Sequence, residues 1–321
     1  MGMKAAIVTE AGKTPVYGEF REPIPGDDEV RIAVSAAALT HLTKGRASGS
    51  HYSASGSLPA VVGIDGVGQL PDGRRVYFFL PEAPFGSMAQ WTVIKRERCI
   101  PLPEGLDDVT AAAIANPGMS SWAALTQRAH LAAGETVLVN GATGTAGRLA
   151  VQIAKHLGAR KVIATGRDPT ALKRLGAIGA DVTIPLTQGR EDLEGAFKRE
   201  FASEGIDVVV DYLWGPSAEV LLLAAAKGGR DAAPIRFVQV GGASGSDVSL
   251  ASAVLRSSAL ELMGSGIGSI ALEGLVRATR EMLQAAVRGH FQIETQTIPL
   301  AEIEKVWRIA GGIPRTVFVT A

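Results

Sequence analysis

The stretch VLVNGATGTAGRLAVQIAKHLGA, residues 137–159, decides the fold of this chain, because it carries glycines at Gly141, Gly144 and Gly147. A glycine tolerates positive φ and has no Cβ. The first can therefore make a tight turn off a strand, the second can let a pyrophosphate approach the backbone, and the third can let a helix pack closely on the strand. The N-terminus of that helix offers free N–H groups and a positive dipole to phosphates. The stretch predicts a dinucleotide site; glycines that serve only a tight strand-to-helix turn are the alternative.

The middle of the chain alternates strand and helix patterns, as a parallel sheet with right-handed crossovers requires. The predicted strands are ETVLVNG (135–141), KVIATG (161–166), DVTI (181–184), IDVVVD (206–211) and RFVQVGG (236–242). The predicted helices cover about 148–157, with Gly158 as a C-terminal cap, 170–175 and 218–226. We therefore predict an α/β domain with a doubly wound parallel sheet.

The two ends of the chain show a different pattern. Before residue 118, the strand-like runs VRIAVSA, RRVYFFL and QWTVIKR stand between turn clusters, which is typical of a strand-rich domain. After residue 260 the sequence predicts an amphipathic helix at about 272–287, a strand FQIET, a helix AEIEKVWRIA and a strand RTVFV. We expect these elements to return to the first domain, and the Gly/Ser-rich stretch 47–57 to form a mobile loop.

Composition narrows the classes of partner. The chain has 321 residues, with 32 Lys and Arg against 32 Asp and Glu, so charge gives no argument for nucleic acid or an anionic membrane and favours a neutral substrate. Cys99 is the single cysteine, which excludes an intramolecular disulfide. The N-terminal sequence turns polar at Thr9, too early for a signal peptide, and no apolar run reaches the roughly 20 residues that span a bilayer. We expect a cytoplasmic protein.

Several segments, in their order and spacing, resemble the zinc-independent quinone oxidoreductases of the medium-chain dehydrogenase/reductase superfamily. They are KAAIVTEAG, LPAVVGIDGVG, CIPLPEGLDDVTAAAIANPGMSSWAAL, the glycine stretch, IDVVVDYLWG and IPLAEIEKVWRIAGGIPRTVFV. The resemblance implies a GroES-like β-rich substrate domain formed by residues 1–115 and 265–321, and a Rossmann NADP-binding domain formed by residues 116–264. It also implies an active cleft between the two domains and a homodimer.

The sequence predicts no catalytic metal. Zinc-dependent relatives use an early cysteine, a Gly-His-Glu segment and a later thiolate or carboxylate, whereas here the segment reads Gly63, Ile64, Asp65 and the early region SAAALTHLTKG has no cysteine. The five histidines show no H-x-x-x-H or H-E-x-x-H pairing. His41 and His51 could both face the cleft, but a structural role is favoured for each. Asp65 is expected to be a structural loop residue.

Without a metal, a thiol pair or a G-x-S-x-G elbow, a bound cofactor must carry the reaction. The resemblance points to two candidate catalytic residues. Tyr52 falls in a loop where similar enzymes often carry a tyrosine near the nicotinamide, an exposed tyrosine being the alternative. Thr40 stands roughly where the family commonly has an asparagine in the cleft, and this departure leaves the substrate-polarising group open. Asn116 matches a segment that borders the cofactor in similar enzymes, with turn capping as the alternative.

The second strand of the α/β region indicates which cofactor is bound. NAD-selective folds place an acidic residue near the end of this strand, and NADP sites place a cation there. The strand ends KVIATGRD, so Arg167 predicts NADPH, and Lys173 or Arg174 would add positive potential. Asp168 would select NAD if it faced the ribose, but Pro169 after it favours a turn or helix-cap role. The predicted cofactor-binding residues are Asn116, Gly141, Ala142, Thr143, Gly144, Thr145, Ala146, Gly147, Gly166, Arg167, Gly241 and Gly242.

These observations together predict an NADPH-dependent reductase of quinones or α,β-unsaturated carbonyls that works by metal-free hydride transfer. Conjugation in such substrates spreads the developing charge, so a Lewis acid is less necessary. Two other functions stay open on the same fold: a non-catalytic NADPH-binding protein, and a zinc-type alcohol dehydrogenase whose ligands have moved.

Overall fold

The computed structural model describes residues 2–50, 58–309 and 312–320. Contacts divide the chain into two compact units. The first unit is Met1–Asn116, Thr279–Arg288 and Gln292–Ala321, and the second is Pro117–Ala278 with Gly289–Phe291. The domain limits given by the sequence stay a prediction. In the structure the second unit extends past residue 264 to Ala278. Within this extension, the carbonyl of Gly274 accepts a 2.8 Å hydrogen bond from Gln127.

The elements follow one another along the chain as β1 (Gly2–Val8), β2 (Val16–Arg21), β3 (Glu29–Ala38), α1 (His41–Ser48), β4 (Ala60–Val61), β5 (Asp65–Gln69), β6 (Arg75–Phe79), β7 (Trp91–Lys95), β8 (Cys99–Pro101) and α2 (Asp108–Ala123). They continue as β9 (Thr136–Asn140), α3 (Thr145–His156), β10 (Lys161–Gly166), α4 (Pro169–Arg174), β11 (Val182–Pro185), α5 (Arg190–Ser203), β12 (Val208–Asp211), α6 (Gly215–Gly228), β13 (Pro234–Gln239), α7 (Ser252–Arg256) and β14 (Ala259–Gly264). The last elements are α8 (Leu272–Gly289), β15 (Thr295–Pro299), α9 (Ile303–Val306) and β16 (Arg315–Val319). Short 3₁₀ turns lie at Arg96–Arg98, Leu175–Ile178 and Leu300–Glu302, and a π-helical turn lies at Ala124–Arg128.

The second unit contains a parallel sheet with strand order β11-β10-β9-β12-β13-β14. Counted along the chain from β9, this order is 3-2-1-4-5-6, the doubly wound arrangement that the sequence predicts. The direction of winding reverses between β9 and β12. Ligands of such sheets bind outside the carboxyl ends of the strands at this point.

The core of the second unit follows from that arrangement. A parallel sheet covered by helices on both faces needs strands that are apolar throughout rather than alternating. All five residues of β9 are buried. Phe197 and Phe201 of α5 are fully buried in the cluster that contains Leu138 and Phe237.

The first unit is built mainly from antiparallel strands. One sheet has the order β2-β1-β4, and the other has the order β15-β16-β3-β5-β6-β8 with β7 paired to β3. β15 and β16 form a parallel pair, and β16 pairs antiparallel with β3. The C-terminal strands therefore complete a sheet begun near the N-terminus, as the sequence predicts.

The structure corrects two predicted elements near the C-terminus. FQIET is not a strand, since β15 begins only at Thr295. Phe291 packs edge-on against His156 instead, with ring centroids 5.4 Å apart. The segment AEIEKVWRIA is α-helical only over Ile303–Val306, after a 3₁₀ turn at Leu300–Glu302.

Two further differences concern helices. The predicted loop 47–57 begins inside α1, which extends to Ser48, and residues 51–57 lie outside the described residues. Two helices are not predicted above. α5 is one, although Leu193, Phe197 and Phe201 stand at helical spacing. α2 is the other, and it contains Pro117 in its interior.

Among the described helices, none combines the length and the apolar composition needed to cross a bilayer.

Candidate active site: a glycine loop and two cavities

Two of the three glycines in the loop after β9 are required by the protein itself. Gly141 has φ +89°, a conformation that residues with a Cβ rarely adopt, so its predicted role in the turn is confirmed. A Cβ at Gly147 would lie 2.5 Å from the Cα of Ala142. Backbone cannot move away from such a contact cheaply, so the predicted close packing of α3 on the loop is also confirmed.

Gly144 is different, because nothing in the protein requires a glycine there. Its φ is −79°, and a Cβ would have no neighbour within 4 Å. The residue is exposed at the N-cap of α3, and no side chain caps that helix end. Helix N-termini without a cap present N–H groups that an anion can satisfy. The space above Gly144 therefore fits the approach of a pyrophosphate.

Two buried side chains that the sequence analysis missed hold the start of this loop. The Thr165 hydroxyl accepts a 3.0 Å hydrogen bond from the N–H of Gly141, and the Thr165 carbonyl accepts one of 2.8 Å from Ala142. The same hydroxyl donates to Asn140 Oδ1 at 2.7 Å. Asn140 and Thr165 close the C-terminal ends of β9 and β10, so they fix the position from which the loop departs.

The network continues to the end of β12. Asn140 Nδ2 donates to Asp211 Oδ1 at 2.8 Å, and Asp211 also accepts hydrogen bonds from the N–H groups of Leu213 and Trp214. Burial raises the pKa of Asp211, while these hydrogen bonds oppose the rise. The signal in the sequence was a polar residue at the end of two neighbouring apolar strands.

A second hydroxyl pair lies beneath α3. Ser121 Oγ and the Tyr212 hydroxyl are 2.6 Å apart, and Ser121 Oγ lies 3.2 Å from the carbonyl oxygen of Ala146. Burial raises the pKa of Tyr212 well above its usual range, so this phenol stays protonated at neutral pH. The pair ties α2 and the turn after β12 to the first turn of α3.

The end of β10 bears on cofactor choice. A Cβ at Gly166 would overlap the side-chain methyl of Thr143, so this glycine is required where the two loops meet. Arg167 is exposed. Asp168 is the N-cap of α4 and accepts a 2.8 Å hydrogen bond from the N–H of Thr170. The predicted capping role of Asp168 is therefore confirmed, whereas the role of Arg167 stays a prediction.

Gly241 and Gly242 follow β13, where the backbone packs closely. Gly241 donates to the Asp211 carbonyl at 3.1 Å, and a Cβ on it would lie 2.9 Å from the Tyr212 carbonyl oxygen. Gly242 lines an open cavity of about 430 Å³ at the C-terminal ends of β13 and β14. Trp214 also lines this cavity. Its backbone has φ 57° and ψ −160°, a conformation that residues with a Cβ rarely adopt. Binding of a cofactor by these glycines stays a prediction.

The candidate catalytic residues lie in or next to α1. Thr40 is the N-cap of α1: its hydroxyl accepts from the N–H of Thr43 at 2.8 Å and donates to Thr43 Oγ1 at 2.9 Å. The hydroxyl proton of Thr40 is thus already used within the protein. His41 is exposed at the start of α1. Tyr52 and His51 lie outside the described residues.

Asn116 lies inside α2 and is half-buried, so the alternative role in turn capping is wrong. The helix continues through Pro117 and Gly118. Proline removes one backbone donor without ending the helix here. Contact of Asn116 with a cofactor stays a prediction.

Three comparisons with known proteins bear on this site. Residues 146–287 match a family model described as zinc-binding dehydrogenase. A protein of Emericella nidulans named as a probable NADPH-dependent quinone reductase is 29% identical, covering 95% of this chain and 96% of that protein. A chloroplastic protein of Arabidopsis thaliana named NADPH-dependent alkenal/one oxidoreductase is 30% identical over 64% of this chain and 58% of its own length. The solved quinone oxidoreductase of Thermus thermophilus, whose study includes a complex with NADPH, is 26% identical with a TM-score of 0.80, covering 99% of this chain and 100% of that one.

These comparisons support a relationship to the zinc-independent quinone oxidoreductases of the medium-chain dehydrogenase/reductase superfamily.

The chain differs from zinc-dependent relatives at the segment Gly63, Ile64, Asp65. Within residues 2–50, 58–309 and 312–320, no cluster of three or more His, Cys, Asp or Glu side chains could hold a metal ion. Ile64 is buried where those relatives carry an imidazole. Asp65 begins strand β5, so the expectation of a loop residue is wrong.

Asp65 is buried beside two other polar groups. The Tyr77 hydroxyl donates to its Oδ2 at 3.1 Å, and Arg315 is buried nearby. Burial raises the pKa of Asp65 to about 6, and the charge of Arg315 and the Tyr77 hydrogen bond oppose the rise. The carboxyl is therefore a buried structural group of the first unit.

Proposed function

We propose that this protein is an NADPH-dependent reductase of quinones or α,β-unsaturated carbonyls that transfers hydride without a metal. The observation that carries the proposal is Gly144. It stands at the carboxyl end of β9, where the winding of the sheet reverses, and it is the loop glycine that the fold does not need. The names of the Emericella and Arabidopsis relatives and the NADPH complex of the Thermus enzyme support the choice of cofactor and substrate.

The residues present fit a dinucleotide with a 2′-phosphate. The backbone of residues 141–147 and the first turn of α3 would hold the pyrophosphate, since the helix end offers N–H groups and positive potential. Arg167 would hold the 2′-phosphate by charge-assisted hydrogen bonds. Asp168 supports this assignment because its carboxylate caps α4.

NADPH, when bound, supplies a hydride that adds to the β-carbon of the conjugated carbonyl or to the quinone ring. The reduced product then needs one proton. Thr40 is a poor donor because its hydroxyl proton is bonded to Thr43. Tyr52 is our proposed proton donor.

The quaternary structure and location are further parts of the proposal. β14 forms one edge of the parallel sheet; Leu262 within it is 42% exposed, and Leu255 in the preceding α7 is 47% exposed. Exposed apolar side chains at a sheet edge favour association with a second copy. We propose a homodimer, and a cytoplasmic location in keeping with the single cysteine.

The test is NADPH oxidation by the full chain with a panel of quinones and enones, in the presence and absence of a chelator. We expect substrate-dependent oxidation that the chelator leaves unchanged. Tight NADPH binding without turnover across the panel would instead support the non-catalytic alternative. Turnover that the chelator abolishes would support the zinc-type alternative.

A further inference from the structure

The first unit contains a cavity that the proposed nucleotide site does not use. Its volume is about 290 Å³, close to the lower end of the range for small-molecule pockets. It is bounded by α1, β4 and residues 81–85. About half of its wall is apolar, and this part includes Val8, Ala47, Leu58, Val62, Ile64 and Phe85. Such a wall fits a flat aromatic or conjugated ring.

Two side chains give this wall its polar character. Thr43 and Arg46 are three residues apart on α1, so they face the same side of the helix, and both line the cavity. Thr43 is 2% exposed and its oxygen already accepts a hydrogen bond from Thr40. A hydroxyl has one proton and two acceptor lone pairs, so Thr43 can still donate its proton to a ligand.

Arg46 is a half-buried cation that pairs with no described residue. Two other arginines of the first unit have carboxylate partners: Arg75 pairs with Asp108, and Arg98 pairs with Glu82 at 2.9 Å. Desolvation lowers the pKa of Arg46, but a guanidinium stays protonated at neutral pH. Covering a charge without a partner costs free energy that a bound anion would offset.

The described lining of the cavity leaves room for such an anion. The described residues that line the cavity include no Asp or Glu. The cavity therefore combines an apolar wall, one hydroxyl donor and one positive charge.

We propose that this cavity binds a conjugated ring bearing an anionic group, with Arg46 pairing with the anion and Thr43 donating to an oxygen of the same ligand. The assignment of this cavity as a substrate subsite rests on the function proposed above, whereas the binding of such an anion does not. It narrows the substrate class to quinones or enones that carry a carboxylate, sulfonate or similar group. It also departs from the neutral substrate that net charge favours.

The first test is equilibrium binding of two probes of the same shape to the full chain by calorimetry, without NADPH. 2-Naphthoate carries a charge and 2-acetylnaphthalene does not. We expect 2-naphthoate to bind roughly ten-fold more tightly or more, the effect of one charged hydrogen bond. Arg46→Met should remove the difference, Arg46→Lys should retain part of it, and Arg96→Met, at an exposed arginine outside the cavity, should retain all of it.

Equal binding of the two probes by the parent protein would overturn the proposal, as would loss of the preference in Arg96→Met, because net charge would then explain it. If Arg46→Met unfolds, Arg46→Lys decides the question: it should fold with unchanged stability and retain part of the preference for 2-naphthoate, and complete loss of the preference in that folded variant would overturn the proposal.

The second test compares turnover of 1,4-naphthoquinone-2-sulfonate with that of 1,4-naphthoquinone. We expect the ratio of their kcat/KM values to fall roughly ten-fold in Arg46→Met. If the ratio is unchanged in Arg46→Met although the parent protein prefers 2-naphthoate, the cavity binds anions but is not part of the substrate site. If neither quinone is reduced, the proposed function fails while the binding result still decides whether the cavity takes anions.

Discussion

Gly144 tests the nucleotide site at the scale of one residue. Valine there meets no protein atom within 4 Å at its Cβ, and the φ of −79° suits it, so we expect Gly144→Val to fold. A poorer helix N-cap should cost about 1 kcal/mol. The same side chain fills the space through which a pyrophosphate would approach, so NADPH binding should be abolished. Fluorescence titration with NADPH measures this.

Gly176→Val is the matched control for that variant. Gly176 is exposed, and its added Cβ also meets nothing within 4 Å. This variant should bind NADPH like the parent protein. If Gly144→Val also titrates like the parent, the glycine loop does not hold the cofactor.

Arg167 tests cofactor choice. Loss of one charged phosphate contact should cost Arg167→Ala about 1.5 to 3 kcal/mol with NADPH, roughly ten-fold or more in kcat/KM, with little effect on NADH. Asp168→Asn is a useful companion, since asparagine keeps the cap of α4 and removes the charge. A parent protein that prefers NADH, or an NADPH preference untouched in Arg167→Ala, would contradict the assignment.

The burial of Asp65 predicts that the stability of the fold depends on pH. Its folded pKa of about 6 lies above the value of about 3.9 expected in the unfolded chain. The folded state therefore binds more protons between these values, and stability falls as pH rises through this window. The free energy of unfolding of the parent relative to Asp65→Asn should drop by on the order of 2 to 3 kcal/mol between pH 4 and pH 7.5. Urea unfolding of both proteins at the two pH values measures this, and parallel pH profiles would contradict it.

At the scale of elements, the contact between α3 and the loop after β9 depends on Gly147. A methyl group there would lie 2.5 Å from the Cα of Ala142, so α3 must shift. Overpacking of this kind costs about 1 to 3 kcal/mol. We expect Gly147→Ala to lose about 2 kcal/mol or more of unfolding free energy, whereas Gly176→Ala should stay within about 0.5 kcal/mol. Equal stability of the two variants would show that α3 can move freely on the loop.

The elements also show what sequence patterns can and cannot predict. Local periodicity located the strands and helices around the glycine loop, because β9 is apolar throughout and α3 has a clear apolar face. It failed for FQIET, since the aromatic ring of Phe291 packs on His156 rather than in a sheet. It failed again at α2, because Pro117 and Gly118 are local breakers that packing overrides.

Some parts of the candidate site could likewise be predicted from the sequence, and others could not. The glycines could be predicted because each role depends on a backbone property of one residue. The hydrogen bonds among Asn140, Thr165 and Asp211 could not, since they join the ends of three strands that are far apart in the sequence. The capping role of Thr40 and the unpaired charge of Arg46 likewise appear only once α1 is placed.

At the scale of the whole molecule, the family assignment and the glycine loop describe a protein that binds NADPH and reduces a conjugated substrate. The described residues offer no cluster of metal ligands to such a reaction. Because no protein side chain can supply a hydride, the hydride comes from the cofactor itself. A non-catalytic relative on the same fold would bind NADPH equally well, so binding data alone do not separate the two functions.

The most direct measurement is isotope transfer to an enone from NADPH that carries deuterium at both C4 positions of the nicotinamide, followed by mass and NMR analysis of the product. We expect one deuterium on the β-carbon of the saturated product, with a chelator present throughout. A saturated product without deuterium, or no product from any enone or quinone despite saturating NADPH, would contradict the account.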